Sequence, residues 1–490
     1  MAPLAHLLII YTSCLSLIPA LTLNSYPTKP RVFILSDISN EPDDAQSLVR
    51  YLTYSNQFQT EGIVATTSTW LKNETHPADM LKIIDAYEKV VDNLNHHAPA
   101  DAQYPSAEYL RSIVRAGSPT YGMAALSPTT PLSAGAKLLL NSIHATTNSS
   151  EPLWILAWGG TNVLAQALAK LQTDNPTQAP TLRSNLRIYT ISDQDDTGAW
   201  LRQQYPDLFY IASVHGWNQY HMSTWVGISG DEFYNFDKGG ANGTKVSKGW
   251  IRSNLQIGPL GAVYPDVAFI MEGDTPSFLY LVQNGLGVPE HPEYGSWGGR
   301  YTLVNPSPCG LGFRHYGDAE DEVIGVDGGV YKSNKATVWR WRDAYQEDFA
   351  ARMRWTMTAD AAGVNHHPVV GVNGSVGLGV VEVWGAAAGS EVILDAGGSV
   401  DPDGDELSFQ WLHYPEPSAI NGAPEVKVTA FGPRGERARL SVPVVDRACE
   451  ATEHCDLFHF VLEVTDSGSP ALTTYRRILL HVARHGGGRS

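Results

Sequence analysis

From Arg31 onward the chain alternates short apolar runs with amphipathic stretches, and this alternation restricts it to a narrow class of folds. Arg31-Val-Phe-Ile-Leu-Ser36 reads as a strand buried on both faces, followed by a helix over 44–54. Residues 62–66, 153–158, 186–191 and 267–271 are further strand-length apolar runs, with helical periodicity over 77–94 and 163–171 between them. Strands that are apolar throughout, alternating with helices, predict a mostly parallel sheet covered by helices on both faces. A helix rich in Arg and aromatic residues over 339–355 closes this α/β block. Within it, Trp339 and Trp341 stand two apart and cannot share a helical face, so Trp339-Arg-Trp-Arg342 reads as packing plus buried ion pairing.

After about Thr358 the pattern changes to a period of two. Residues 391–394, 407–412 and 458–464 read as strands separated by turn signals, which predicts a smaller all-β, antiparallel Ig-like sandwich. The expected organisation is a leader over 1–22, an α/β domain over 27–358, a linker over 359–378 and a sandwich over 379–485.

The first residues speak to the compartment. Residues 7–23 form an apolar run broken by Ser13, Ser16 and Pro19, with small residues near its end, as in a secretory leader. The sequons at Asn73, Asn148, Asn242 and Asn373 fit export, and the protein is expected to be secreted and glycosylated. No later run is long enough to anchor it in a membrane. With 51 acidic residues against 34 basic ones, a net charge of -17 disfavours nucleic acid and anionic membranes as partners. Of the four cysteines, Cys14 would leave with the leader, Cys449 and Cys455 can pair in an exported protein, and Cys309 reads as a small buried hydrophobe.

The chemistry gathers where the first strand ends. In open α/β sheets ligands bind beyond the carboxyl ends of the strands, and this strand runs directly into Asp37-Ile-Ser-Asn-Glu-Pro-Asp-Asp44. Four carboxylates in so short a stretch suit a hard, oxygen-ligated cation such as Ca2+, or a solvated acidic turn whose Asp43 and Asp44 favour the dipole of the next helix. Asp193, Asp195 and Asp196 follow a later strand and are expected either to face the same crevice or to cap a helix. His215, Trp217, Asn218 and His221 form a loop cluster whose rings can stack on a sugar or base or simply pack, and Trp297 and Arg300 in a Gly-rich turn are candidates for the pocket mouth. In the β block, Asp401-Pro-Asp403-Gly-Asp405 lacks the acidic twelfth residue of an EF-hand; it resembles the turn of PKD- or cadherin-like domains, with a Ca2+ role or a plain Asx turn both open.

The strand followed by Asp37…Asp43-Asp44 resembles the N-terminal motif of nucleoside hydrolases. Trp158-Gly-Gly-Thr161-Asn162 is similar to that family's Thr-Asn segment, and Glu272-Gly-Asp274-Thr-Pro276 to its late Asp-Pro segment. More specifically, Gly273-Asp-Thr-Pro-Ser-Phe-Leu-Tyr280, Tyr294-Gly-Ser-Trp-Gly-Gly-Arg300 and Trp339-Arg-Trp-Arg342 resemble nucleoside-hydrolase-like proteins labelled cellulose-binding, which carry a C-terminal Ig-like domain. The resemblance implies Ca2+ held by Asp44, Asp274 and the Thr161 carbonyl with Asp37 close by. Asp43 then faces a ribose-like hydroxyl. Apart from the resemblance's own ligand set, Asn162, Asp193, Asp195, Trp217, Asn218 and Trp297 are the candidates for lining the substrate site. Two positions depart from the family pattern: the Asp that serves as general base falls on Ser39, and the His that assists the leaving group falls on Gly273. Asp37 or Glu41, with Asp43, is then expected to carry the acid–base work. The expected activity is Ca2+-dependent hydrolysis of an N-glycosyl or related glycosidic bond in a sugar or nucleoside-like molecule. The rival is a non-catalytic carbohydrate-binding protein directed at a cell-wall polysaccharide such as cellulose; a third reading is an adhesion protein acting through the Ig-like block.

Overall fold

A computed structural model describes residues 23–216, 218–304, 314–418, 426–444 and 457–483. The expected leader, Trp217 and the four cysteines lie outside the described residues.

The α/β half is built on eight strands: β1 (Arg31–Ser36), β2 (Gln59–Ala65), β3 (Val114–Ala116), β4 (Leu153–Ala157), β5 (Leu186–Ser192), β6 (Phe209–Ser213), β7 (Tyr301–Leu303) and β8 (His315–Asp318). They lie in the order β3-β2-β1-β4-β5-β6-β8-β7, parallel except that β7 runs antiparallel to β8 at the edge. All six residues of β1 are buried, because helices cover both faces. Val32 and Ile34 face a core shared with the helices α1 (Pro42–Tyr54) and α2 (Pro77–Tyr87). Phe33 and Leu35 face a second core against α3 (Ala134–Ala145) and α4 (Asn162–Asp174). The strand order reverses between β1 and β4, and this switch point opens a crevice beyond their carboxyl ends.

Two expectations for this half are corrected. Residues 267–271 are not a strand: Phe269 and Glu272 take left-handed backbone angles, φ +63° and +56°, and turn the chain while Ile270 and Met271 enter the core. The helix expected over 77–94 is two, α2 and Val91–His96, with a break between them. The reading of Trp339-Arg-Trp-Arg342 holds in detail. Arg340 and Arg342 pair with buried Asp321 and Asp231 at 2.8 and 2.6 Å, and Trp339 donates to Asp237 at 2.9 Å.

A hairpin of β9 (Asp321–Ile324) and β10 (Val330–Ser333), then the short β11 (Gly371–Val372) and β12 (Ser375–Val376), lead to the sandwich. One of its sheets joins β13 (Val381–Ala387), β19 (Thr473–Ala483), β18 (Leu457–Asp466) and β15 (Leu407–Tyr414) in that order. The other joins β14 (Glu391–Asp395), β17 (Arg437–Ser441) and β16 (Val428–Phe431). Pairing is antiparallel except that β13 runs parallel to β19.

The two halves are not joined by a free linker. Tyr475 and Arg477 on β19 donate their backbone N–H groups to Asn284 and Gly285 of the α/β half at 2.9 and 3.1 Å. The Arg477 guanidinium, fully buried, donates to the carbonyls of Leu286, Tyr294 and Gly295 at 2.7 to 3.1 Å. Tyr414, Val461, Leu472 and Tyr475 of the sandwich belong to the same apolar cluster as α1 and α2. Within the expected linker, His366 is buried between His97 and Asp403, 3.0 Å from each. Within the segment at 359–378, residues 365, 366 and 368–372 are buried, while 359–360, 362–363 and 373–376 are exposed.

Candidate functional site

Strand register builds the site. Leu35 pairs with Ala157, so the residues that follow, Asp37 and Trp158-Gly159-Gly160, emerge side by side at the switch point. The contact is close enough that a Cβ at Gly159 would stand 2.7 Å from Asp37 Oδ1, which leaves room for glycine alone. Pro42 opens α1, and Asp43 and Asp44 fall in its first turn where the helix dipole favours negative charge. Ser36 Oγ donates to Asp44 Oδ1 at 2.6 Å. Asp274 arrives from the far side on a turn held by Glu272, whose buried carboxylate takes Arg50 at 2.7 Å and the Tyr264 hydroxyl at 2.7 Å. Trp158 Nε1 donates to Ser277 Oγ, which donates in turn to the Asp274 carbonyl, each at 2.7 Å.

These constraints bring one carboxylate oxygen each of Asp43, Asp44 and Asp274 within 4.8 Å of one another. Asp37, Asp44 and Asp274 are buried, Asp43 and Glu41 half-buried. Asp274 Oδ2 is buried with no hydrogen-bond partner. Burial pushes the Asp37 carboxyl up to about 6, with Glu41 adding to the shift and a hydrogen bond from Ser68 opposing it. Burial, then Glu41 and Asp37, push Asp43 up to about 7. Asp44 and Asp274 lie well above the ordinary carboxylate range for the same reasons, burial first and the neighbouring aspartates second. Carboxylates this close cannot all ionise without a compensating positive charge. An oxygen-only set with an unpartnered buried oxygen fits a hard divalent cation.

An aromatic wall stands beside the acids. Trp70 Nε1 donates to the Tyr220 hydroxyl at 3.0 Å, and Tyr220 packs on His215 and Trp225 at centroid distances of 5.0 and 5.8 Å. Trp225 and Asp43 both border Gly273, at 2.9 and 2.6 Å from where a Cβ would sit. Burial raises the Tyr220 phenol, and Asp37 and Glu41 add to the shift.

A family model described as cellulose-binding Sde182, nucleoside hydrolase-like domain, matches residues 31–301. The chain belongs to this family. The model of the C-terminal domain of the cellulose-binding protein Sde0182 matches residues 391–482, within the sandwich. Among solved structures, a nucleoside hydrolase-related hypothetical protein from Saccharophagus degradans, described as associated with carbohydrate metabolism, is 31% identical. That alignment covers 93% of this chain and 100% of the other, with a TM-score of 0.74. A PKD domain aligns with 23% of this chain and 86% of its own length at 17% identity and a TM-score of 0.15, too low to carry an argument. No curated protein matches.

In this Sde182-type domain the acidic residues expected at the site do come together: Asp37, Glu41, Asp43, Asp44 and Asp274 share one basin, the last three each raised by burial and then by the charges of Asp37 and Glu41 among their neighbours. Thr161 begins α4 beside it; its carbonyl accepts from Ala165 N at 2.9 Å and its hydroxyl meets Thr197 at 2.8 Å. Ser39 is exposed at φ +80°, and its hydroxyl turns outward to Asp79 at 2.6 Å.

Other expected lining residues have different work. Asp195 accepts from the backbone N–H groups of Asn162 and Thr197 at 3.1 and 2.9 Å and so caps two helices, the alternative left open from its spacing. Asp193 is tied to Arg202 by two hydrogen bonds of 2.8 and 2.5 Å. Asn162 is buried and donates to Thr67 and to the Thr120 carbonyl, holding two loops. Trp297 does not line a pocket mouth: it is 1% exposed and packs edge-on against Tyr345 and Tyr475 at the seam with the sandwich. Asn218 is exposed in the left-handed region, φ +54°. In the β block, Asp401 Oδ1 accepts from Asp403 N and Asp405 N at 2.9 and 3.0 Å, forming an Asx turn. Ser68, Trp70 and Tyr220 were not anticipated. Ser68 and Trp70 follow β2 directly, so the strand-end rule that found Asp37 would have flagged them.

Proposed function

We propose that the basin of Asp37, Asp43, Asp44 and Asp274 holds Ca2+ and that this secreted protein uses it to hydrolyse an N-glycosyl or related glycosidic bond of a sugar or nucleoside-like molecule. The observation that carries this reading is the convergence of Asp43, Asp44 and Asp274 around a buried, unpartnered Asp274 oxygen. Asp44 and Asp274 would be the buried ligands, with Asp37 alongside and the Thr161 carbonyl contributing its second lone pair. The ion would order sugar hydroxyls and make a water molecule more acidic. Asp37, oriented by Ser68, is the proton acceptor, and Asp43 at the rim meets a ring hydroxyl. Tyr220 accepts from Trp70 and has its own proton to offer a departing group.

The test is release of reducing sugar from a panel of nucleosides and N- and O-glycosides. Turnover that disappears with EDTA and in Asp44→Ala supports the reading, and turnover unchanged by either refutes it.

A second reading, carbohydrate binding without turnover, is favoured by the two departures from the hydrolase pattern. Ser39 faces Asp79, and a side chain at Gly273 would run into Asp43. The family's cellulose-binding name points the same way. Retention on cellulose with no turnover of any substrate would establish it.

A further inference from the structure

On the sandwich, far along the chain from the acidic basin, Trp384 is 61% exposed on β13, an edge strand of its sheet. Isolated surface apolar residues are ordinary, but this one is held in a defined pose. Its ring lies flat on His481 of β19, with centroids 3.5 Å apart and planes 7° from parallel, so one indole face is backed and the other is offered to solvent. The His481 Nε2 is in turn hydrogen-bonded to the Glu382 carboxylate, two residues before Trp384 on the same strand face. The backbone is adapted as well. The β13–β19 register slips between Val383 and Ala386, and Gly385 takes φ +76° with open space where a Cβ would be. Bulges of this kind re-aim a side chain, at a cost in ladder hydrogen bonds.

A second aromatic pair lies within reach of the Glu382 charge. His291 and Tyr294 of the α/β half stack at 4.5 Å and 14°, and Glu382 is among the charges that bear on the Tyr294 phenol. Flat, rigid rings flanked by carboxylates match a polysaccharide chain. The C–H faces of its sugar rings cover indole or imidazole, and its equatorial hydroxyls donate to Glu382 and Glu293. Holding the ring in advance removes the entropy a free side chain would lose on binding.

We infer that Trp384, backed by His481 and accompanied by the His291–Tyr294 pair, is a binding platform for a β-linked glucan chain. The platform is separate from the acidic basin. This inference rests on the carbohydrate-binding side of the function proposed above, and assigns it a place.

The experiment is depletion of the full-length protein by microcrystalline cellulose, with melting temperature recorded for each variant. Trp384→Ala should weaken retention by about tenfold or more, the scale of an aromatic anchor, while Trp384→Phe keeps most of it. His291→Ala should lose a smaller share. Ile324→Ser, which removes a still more exposed apolar side chain from the β9–β10 hairpin, should bind as the unaltered protein does. Trp384→Ala retained as well as the unaltered protein would overturn the platform while leaving cellulose binding intact. An unaltered protein that cellulose does not deplete would overturn both.

Discussion

Ser36, the last residue of β1, donates a 2.6 Å hydrogen bond to Asp44 in the first turn of α1, and this bond aims the Asp44 carboxylate at Asp274. A hydroxyl in that position acts on an ion only through the ligand it orients. Ser36→Ala should keep the fold and weaken Ca2+ binding by about 10–100-fold, the usual effect of losing an outer partner. Asp274→Asn, which preserves shape but removes charge, should abolish it. Calorimetric titration with Ca2+ checks both, and unaltered affinity in Asp274→Asn would remove Asp274 from the ligand set.

The raised carboxyls also dictate how stability responds to pH when no cation is supplied. Asp37 and Asp43 stand at about 6 and about 7 in the folded protein against 3.8 for the ordinary group, so between these values the folded state binds more protons than the unfolded one. Their contribution is fully present below about pH 4 and is lost as pH rises through 6 to 7. Melting temperature in EDTA should therefore fall over that interval, and excess Ca2+ should flatten the fall. A profile identical with and without Ca2+ would contradict a cation in this basin.

Gly273 stands where the nucleoside hydrolase pattern places a histidine, and its surroundings leave little room for one. A Cβ there would lie 2.6 Å from Asp43 Oδ2 and 2.9 Å from Trp225. Gly273→His is expected to displace Asp43 and lower Ca2+ affinity rather than raise turnover. Parallel measurement of titration heats and sugar release would show which of the two changes.

The seam between the halves gives a stability prediction. Gly285 has φ +88°, and a Cβ there would meet the Tyr475 carbonyl at 1.9 Å. Gly285→Ala should cost at least about 1–2 kcal/mol from the backbone conformation alone, before the clash is counted. Denaturant unfolding followed by circular dichroism measures it. Truncation after residue 378 should be worse, because it exposes Trp297 and leaves the carbonyls that Arg477 satisfies without their donor. A truncated protein that melts cooperatively near the full-length temperature would refute the shared interior.

Much of the site was legible because its chemistry is local. A strand buried on both faces reads as unbroken apolar sequence, and in a parallel sheet the residues just past its end face the crevice, so Asp37 to Asp44 could be located from one stretch. Asp274 needed the resemblance, since it reaches the basin across the fold through Arg50, Glu272 and Trp158, which no short window connects. Residues 267–271 misled for a related reason: a buried apolar run looks the same whether it extends or turns. Asp193 and Asp195 lie at the right strand end, yet Arg202 and two helix N-termini claim their oxygens. Trp297 looked like a pocket aromatic because its Gly-rich surroundings suggest a loop, whereas the ring is covered by a strand from the far end of the chain.

That strand sets an order on biogenesis. Tyr475 and Arg477 complete hydrogen bonds and packing that the α/β half cannot supply for itself, and they lie close to the end of the described chain. Domains ordinarily fold one after another as they emerge during synthesis. Here part of the first half's interior stays unfinished until β19 has been made. A chain that stops before β19 would keep the whole acidic basin and still leave the Leu286 carbonyl without its donor and Trp297 uncovered.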